Sequence, residues 1–335
     1  MAQDSSTTRR LYQGQAFSGM DLRNRDLGAL HFAHCTFSHC ALDASVLRGA
    51  QFCACTFQAC SFTDADLEEA ALVQCTLSQC SLVSAHLVST RITSCTLRET
   101  DLSSALLDRC DLAGTILEDC VLAKAVLTSC SGLQNSRLLK VDCTSCLFFG
   151  CDMRGVELVQ CHGRLLIFRE CSLQGLVARQ CRLPQLTCLS LAMQESLFAD
   201  CVLDQAAFAG SSLGAATFAA CLCDCINFQG SLLAGARLEH LVLDRAQFAG
   251  ADLSGASLKG SSLKMADFSH ARLSHADLSR TDLTLASMHA CSLDSALTAG
   301  ARMEQIRGTD AALLRAESFR PPRTPARQVT DTSRH

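Results

Sequence analysis

The chain has 335 residues, a net charge of −4, 48% hydrophobic residues, no Trp, one Tyr and only four Pro. Its Leu, Ala, Ser and Cys-rich vocabulary barely changes from end to end, which argues against two unlike domains and for one repeated unit. The interspersed charges leave no apolar run long enough to span a bilayer.

The first segment, residues 1–14, begins MAQDSSTTRR and lacks the apolar core of a Sec signal peptide, so it is predicted to be an N-terminal arm. The protein is expected to be cytoplasmic, or to leave the cytoplasm by a secretion system that needs no signal peptide. The 23 cysteines are then expected to be reduced thiols, since their number is odd and no export signal precedes them.

From residue 15 a period of five takes over. Every fifth position from Phe17 to Leu127 is Leu, Phe or Ile, 23 of 23, and the residue two before it is Ala, Ser, Thr or Cys in 19 of 19 cases from Cys35 to Ala125. A helix turns a side chain by about 140° in five residues, so these positions would share no helical face. A spacing of two suits a short extended segment with both side chains inward, and the three outward residues left over make a corner. A chain of such units winds round an axis and stacks coil on coil. Cys35, Cys55, Cys75 and Cys95 recur at 20, as do Ala65, Ala85, Ala105 and Ala125, which sets four units to a coil. Phe52, Phe57, Phe62, Leu77, Leu253, Phe268 and Leu278 are representative core centres.

At Gly132 the series slips by one residue and resumes at Leu133. The stretch 128–139 is predicted to be a bulge or small loop, with Gly132 and Asn135 suited to a left-handed backbone. The pattern is looser over 140–195, where Cys143, Gly163, Ala178 and Cys188 take centre positions, and tightens again from Phe198 to Leu293. About 15 coils at roughly 4.8 Å each predict a rod about 70 Å long. Residues 309–319, TDAALLRAESF, are predicted to form a capping helix with Thr309 as its N-cap and Ala312, Leu313, Ala316 and Phe319 on one side. The last segment, 320–335, is basic, Pro-containing and predicted to be disordered.

The units ADLSG (251–255), ADFSH (266–270) and ADLSR (276–280) resemble the pentapeptide repeat family. The resemblance covers residues 15 to 313 and implies an all-β fold, a right-handed quadrilateral β-helix. It also implies that a C-terminal element can join two rods into a homodimer, as in the members that protect DNA gyrase.

Chemistry fits the same register. Of the cysteines, 18 fall two before a centre, where a thiol is a compact apolar filler. Cys143 with Cys146, and Cys221 with Cys223 and Cys225, have metal-like spacings, but four of these five fall on inward positions and neither set is completed by a further pair. No metal, cofactor or catalytic group is therefore expected. Asp252, Asp267, Asp277 and Asp282 each precede a centre and are assigned to corners rather than acid–base work.

Function is assigned to the surface. Residues 43–119 carry 11 acids against four bases, whereas residues 120–195 carry eight bases against five acids. Asp43, Asp64, Asp66, Glu68, Glu69, Asp101 and Asp108 belong to two adjacent faces and form the candidate interaction surface. The expectation is a non-enzymatic bacterial scaffold for protein partners, an effector or secretion accessory, with no membrane span and no direct nucleic-acid binding. The alternative is a DNA mimic that binds gyrase or a related type II topoisomerase and confers resistance to its inhibitors.

Overall fold

A computed structural model of the chain describes residues 10–318. The outer assignments, most of the N-terminal arm, Phe319 and the basic tail 320–335, lie outside the described residues.

Side chains at the centre positions from Phe32 to Met288 point into one continuous core, Gly163 excepted, so the backbone is forced round them in four short segments per coil. Phe52, Phe57, Phe62, Leu77, Leu253, Phe268 and Leu278 are buried. Successive coils pair in parallel at a step of 20 residues: Leu11–Gln13 lies against His31–Ala33, and Ala16–Ser18 against Thr36–Ser38. We label the four sides A to D after the centres Tyr12, Phe17, Leu22 and Leu27. Face A is a sheet of five strands from Leu11–Gln13 to Arg91–Thr93, and face B one of 11 strands from Ala16–Ser18 to Thr217–Ala219. Face D holds five strands from Leu106–Asp108 to Thr187–Cys188, and face C is held by single bridges such as Asp21 to Ala41. Beyond Ala219 face B continues as bridges through Arg237, Ser257, Asp277 and Leu297, so the stacking outlasts the formal strands. Already in the first coil Leu11–Gln13 is paired, four residues before the boundary that the Phe17 periodicity suggested.

The corners explain why the repeat is five and not four. Two residues after each centre the backbone turns left-handed, for example at His34, Ala54 and Gln74, with φ of 53°, 51° and 57°. That conformation costs a non-glycine residue roughly 1 kcal/mol or more. It also aims the amide at the next coil, and His34 N and Ala54 N donate to Cys53 O and Val73 O at 2.9 Å. Asn135 occupies this ordinary corner (φ 54°) and is not part of the bulge.

The register slip is a one-residue bulge. Ser131 still bridges Asp111, and Asn135 N still donates to Arg154 O at 2.9 Å, so no loop leaves the wall. Gly132 alone is extra. A Cβ there would lie 2.3 Å from Ala113 N, and its φ is +79°, so both space and backbone require glycine. The bulge sits on face A. Faces C and D run through it with rungs intact, Val121 against Asp142 and Leu127 against Phe148.

At the C-terminal end the helix Ala311–Ser318 buries none of its residues. Asp310, not Thr309, is its N-cap: Asp310 Oδ1 accepts from Ala312 N (2.8 Å) and Leu313 N (3.1 Å), while Thr309 Oγ1 accepts from Ala290 N. The aspartate carboxylate reaches the first free amides directly from the N-cap position, leaving the threonine to tie the chain to the preceding coil. Among the described residues no helix is long and apolar enough to cross a membrane.

Candidate interaction surface

Outward residues on each face are the one before the centre and the two after it, so sequence spacing converts directly into surface position. On this grid Asp43, Asp64 and Asp101 stand on face C, and Asp66, Glu68, Glu69 and Asp108 on face D. The structure brings five of the seven together in two neighbouring coils. It separates Asp101 and Asp108 from them by a coil whose outward residues on these faces are Ser81, Val83, Ser84, His86, Val88 and Ser89, none acidic. Arg48 also intrudes, pairing with Asp66 Oδ2 and with Glu68 Oε2 at 3.0 Å. Asp43 reaches along face C to accept from Ser61 Oγ and Thr63 N of the next coil, Asp101 accepts from Ser103 N at 2.8 Å, and Asp108 pairs with Arg109 at 3.1 Å. The candidate interaction surface is therefore two acidic patches, partly neutralised, and not a continuous path.

Further along the same two faces the sign reverses. Arg164 and Arg182 stand on face C and Arg169 on face D, where the Arg169 guanidinium lies 5.8 Å from the Phe149 ring centre. Between the acidic and basic segments face D carries an apolar column, Leu106, Val126, Leu147 and Ile167, paired rung by rung. Periodicity of the centres hid this column, because its members sit one residue before a centre, on the outward side. A second exposed apolar group lies nearer the C-terminus: Leu222 (57% exposed) bridges Val242 (53%) on face C, with Met265 (54%) at a following corner.

The repeated aspartates do what their register required. Asp252, Asp267, Asp277 and Asp282 each accept from the backbone amide two residues on, at 2.8–3.1 Å. Hydrogen bonds from Ser254, Ser279 and Thr284 hold Asp252, Asp277 and Asp282 below the usual carboxylate range. The thiols line the core. Cys75 Sγ donates to Phe52 O at 3.4 Å, and burial pushes Cys120 up to about 11 and Cys143 and Cys188 well up. Cys143, Cys146, Cys221 and Cys223 are buried, Cys225 is half-buried, and Cys53 is exposed.

One constellation escaped sequence reasoning. Glu317 on the C-terminal helix lies 3.2 Å from both His270 Nε2 and His289 Nε2, and the three ligand atoms fall within 4.8 Å of one another. Register stacks the two histidines on face D of successive coils, but nothing in the sequence aimed Glu317 back at them. Asp310 N donates to His289 Nδ1 at 3.1 Å, which places the proton of neutral His289 on Nε2, facing Glu317. A metal at Nε2 would require the opposite tautomer and the loss of that backbone bond. The donor set fits a latch that holds the helix along the side of the rod.

Among the described residues the core is open at the N-terminal end. Tyr12, Phe17, Leu22 and Leu27 are only half-buried and surround a cavity of about 140 Å³ that continues to Phe37 and Phe52.

Comparison with known proteins follows the repeat. Residues 30–107 match the family described as Pentapeptide repeat region, and residues 105–131, 221–264 and 261–297 match Pentapeptide repeats (8 copies). No curated protein matches the sequence. Among solved structures, HetL, involved in heterocyst differentiation regulation in Nostoc sp. strain PCC 7120, is 18% identical; the match covers 89% of this chain and 87% of HetL with a TM-score of 0.34. Full-length QnrB1, a plasmid-mediated fluoroquinolone resistance protein, is 14% identical over 92% of this chain and 98% of its own, with a TM-score of 0.17. Rfr23 from the cyanobacterium Cyanothece 51142 is 15% identical over 37% of this chain and 91% of its own, with a TM-score of 0.13.

Proposed function

Because the chain belongs to the pentapeptide repeat family, we propose that it is a non-enzymatic bacterial scaffold, an effector or secretion accessory working in or from the cytoplasm, that holds a protein partner against the side of its rod. The observation behind this reading is the exposed apolar group of Leu222, Val242 and Met265 on a wall whose backbone is bonded coil to coil. Three large apolar side chains more than half exposed on adjoining coils are costly to leave in water, and a pre-ordered wall loses little entropy when it docks. Affinity capture with the full chain, compared with a Leu222→Ser, Val242→Ser, Met265→Ser variant, tests it. One partner captured in near-stoichiometric amount and lost with the variant is expected. Identical captures from both would overturn this surface.

The DNA-mimic alternative needs a continuous acidic path of duplex dimensions. The acid-free coil at Ser81–Ser89 and the Arg48 pairs interrupt it, so gyrase supercoiling should be unaffected by the protein. Inhibition that disappears when Asp64, Asp66, Glu68, Glu69, Asp101 and Asp108 are neutralised would reverse the preference.

A further inference from the structure

Faces C and D carry opposite charge on either side of one level of the rod. In the coils below it these faces carry Asp43, Asp64, Asp66, Glu68, Glu69, Asp101 and Asp108 against Arg48 and Arg109; above it they carry Lys124, Arg164, Arg169 and Arg182 against Asp142 and Glu170. The level lies between Leu106 and Val126, adjoining rungs of the apolar column, and Leu106 is 39% exposed.

We propose that this strip is self-complementary and that its occupant is a second copy of the chain, packed side by side and antiparallel. A two-fold axis perpendicular to the rod, level with the gap between Leu106 and Val126, places each coil below the gap opposite its counterpart above it. The coil of Glu68 then meets the coil of Arg169, at the same distance from the axis and the same position across face D. The coil of Asp43 meets that of Arg182. Between them Val88 of one protomer faces Phe149 of its partner, and Leu106 faces Val126. A closed two-fold contact makes the Glu68–Arg169 pair twice against one like-charge pair, Glu69 with Glu170, whereas a parallel arrangement would set each acidic coil against its own copy.

The geometry of the bulge supports this choice. Gly132 perturbs face A, while the rungs of faces C and D cross that level unbroken, so the strip is straight where the contact needs it. Eight coils supply a contact about 38 Å long. The contact uses other coils than Leu222, Val242 and Met265 and does not depend on the scaffold reading.

The test is charge reversal on the full chain, read by sedimentation equilibrium and small-angle scattering. Wild type should dimerise at about 20 mM salt and weaken at about 500 mM, because the outer pairs are screened. Glu68→Arg and Arg169→Glu should each raise the dissociation constant about a hundredfold. An equimolar mixture of the two, and the double variant, should dimerise again, which a merely misfolded variant would not do. Scattering should show a thicker particle about 95 Å long, because the axis lies nearer the N-terminal end and the two antiparallel rods overlap only in part. A wild-type monomer at about 100 µM in low salt, a dimer indifferent to both reversals, or a dimer of doubled length joined at its ends would each overturn the proposal.

Discussion

Phe37 and Phe57, 20 residues apart in sequence, stack with ring centres 4.8 Å apart and planes 10° from parallel. Phe17 and Phe37 stand 4.8 Å apart in the same column, and Phe32 and Phe52 5.0 Å apart in the next, with edge-to-face contacts between columns. Each ring fills one coil and rests on the next, so a hole at one level undermines two neighbours. Phe57→Ala should therefore cost about 3–5 kcal/mol. Cys75→Ala, which removes one sulfur atom, should cost about 1 kcal/mol. Leu77→Asp should prevent folding, because it strands a charge in the core. Denaturant midpoints of the three variants give the order, and a midpoint for Phe57→Ala as high as that for Cys75→Ala would contradict it.

The bulge makes a less obvious prediction. Gly132→Ala forces a Cβ to within 2.3 Å of Ala113 N and should destabilise by about 1–3 kcal/mol. Gly235→Ala, also left-handed (φ +68°) but with nothing within 4 Å of the added carbon, should cost only about 1 kcal/mol. Deleting Gly132 altogether rejoins Ser131 to Leu133 in the five-residue phase and should be milder than either substitution. Thermal melts of the three proteins decide, and a deletion that unfolds the rod would show that the extra residue is required.

Thiol reactivity should follow position in the wall. Cys53 is exposed, Cys225 and Cys291 are half-buried, and the remaining thiols lie in the core. Burial raises Cys120 to about 11, so its thiolate is scarce at neutral pH. A chromogenic disulfide reagent should modify Cys53 quickly, Cys225 and Cys291 slowly, and the others only after unfolding. Rapid modification of Cys120 in the folded protein would refute the packing role.

The helix latch should respond to acid. Hydrogen bonding from His289, with the nearby His270, lowers Glu317 below its ordinary value of 4.5. A carboxylate depressed in the folded state contributes stability that is present above its unfolded value and is lost as pH falls through the folded one. Amide exchange across Ala311–Ser318 should thus be slower in wild type than in Glu317→Gln above the ordinary glutamate range, and the difference should close below it. Equal exchange at every pH would show that the latch holds nothing.

The coil was legible in the sequence because its core is a one-dimensional signal. Leu or Phe at a centre, a small residue two before it and a repeat at 20 leave a single way to wind the chain, and a slip of one residue at Gly132 shows as a phase change. Asp252, Asp267, Asp277 and Asp282 could be assigned to corners for the same reason: their roles depend on neighbours two residues away. What tertiary structure decided depends on neighbours 18 to 21 residues away or more. Only the stacked coils show that Arg48 reaches Asp66 and Glu68, that Leu106, Val126, Leu147 and Ile167 form one column, and that the bulge spares faces C and D. The helix was foreseeable from its composition, but not the choice of Asp310 as its cap or the path that takes Glu317 back to His270 and His289. Local pattern specifies which side chains point inward; the relative placement of outward side chains is set by how coils stack and where the chain doubles back.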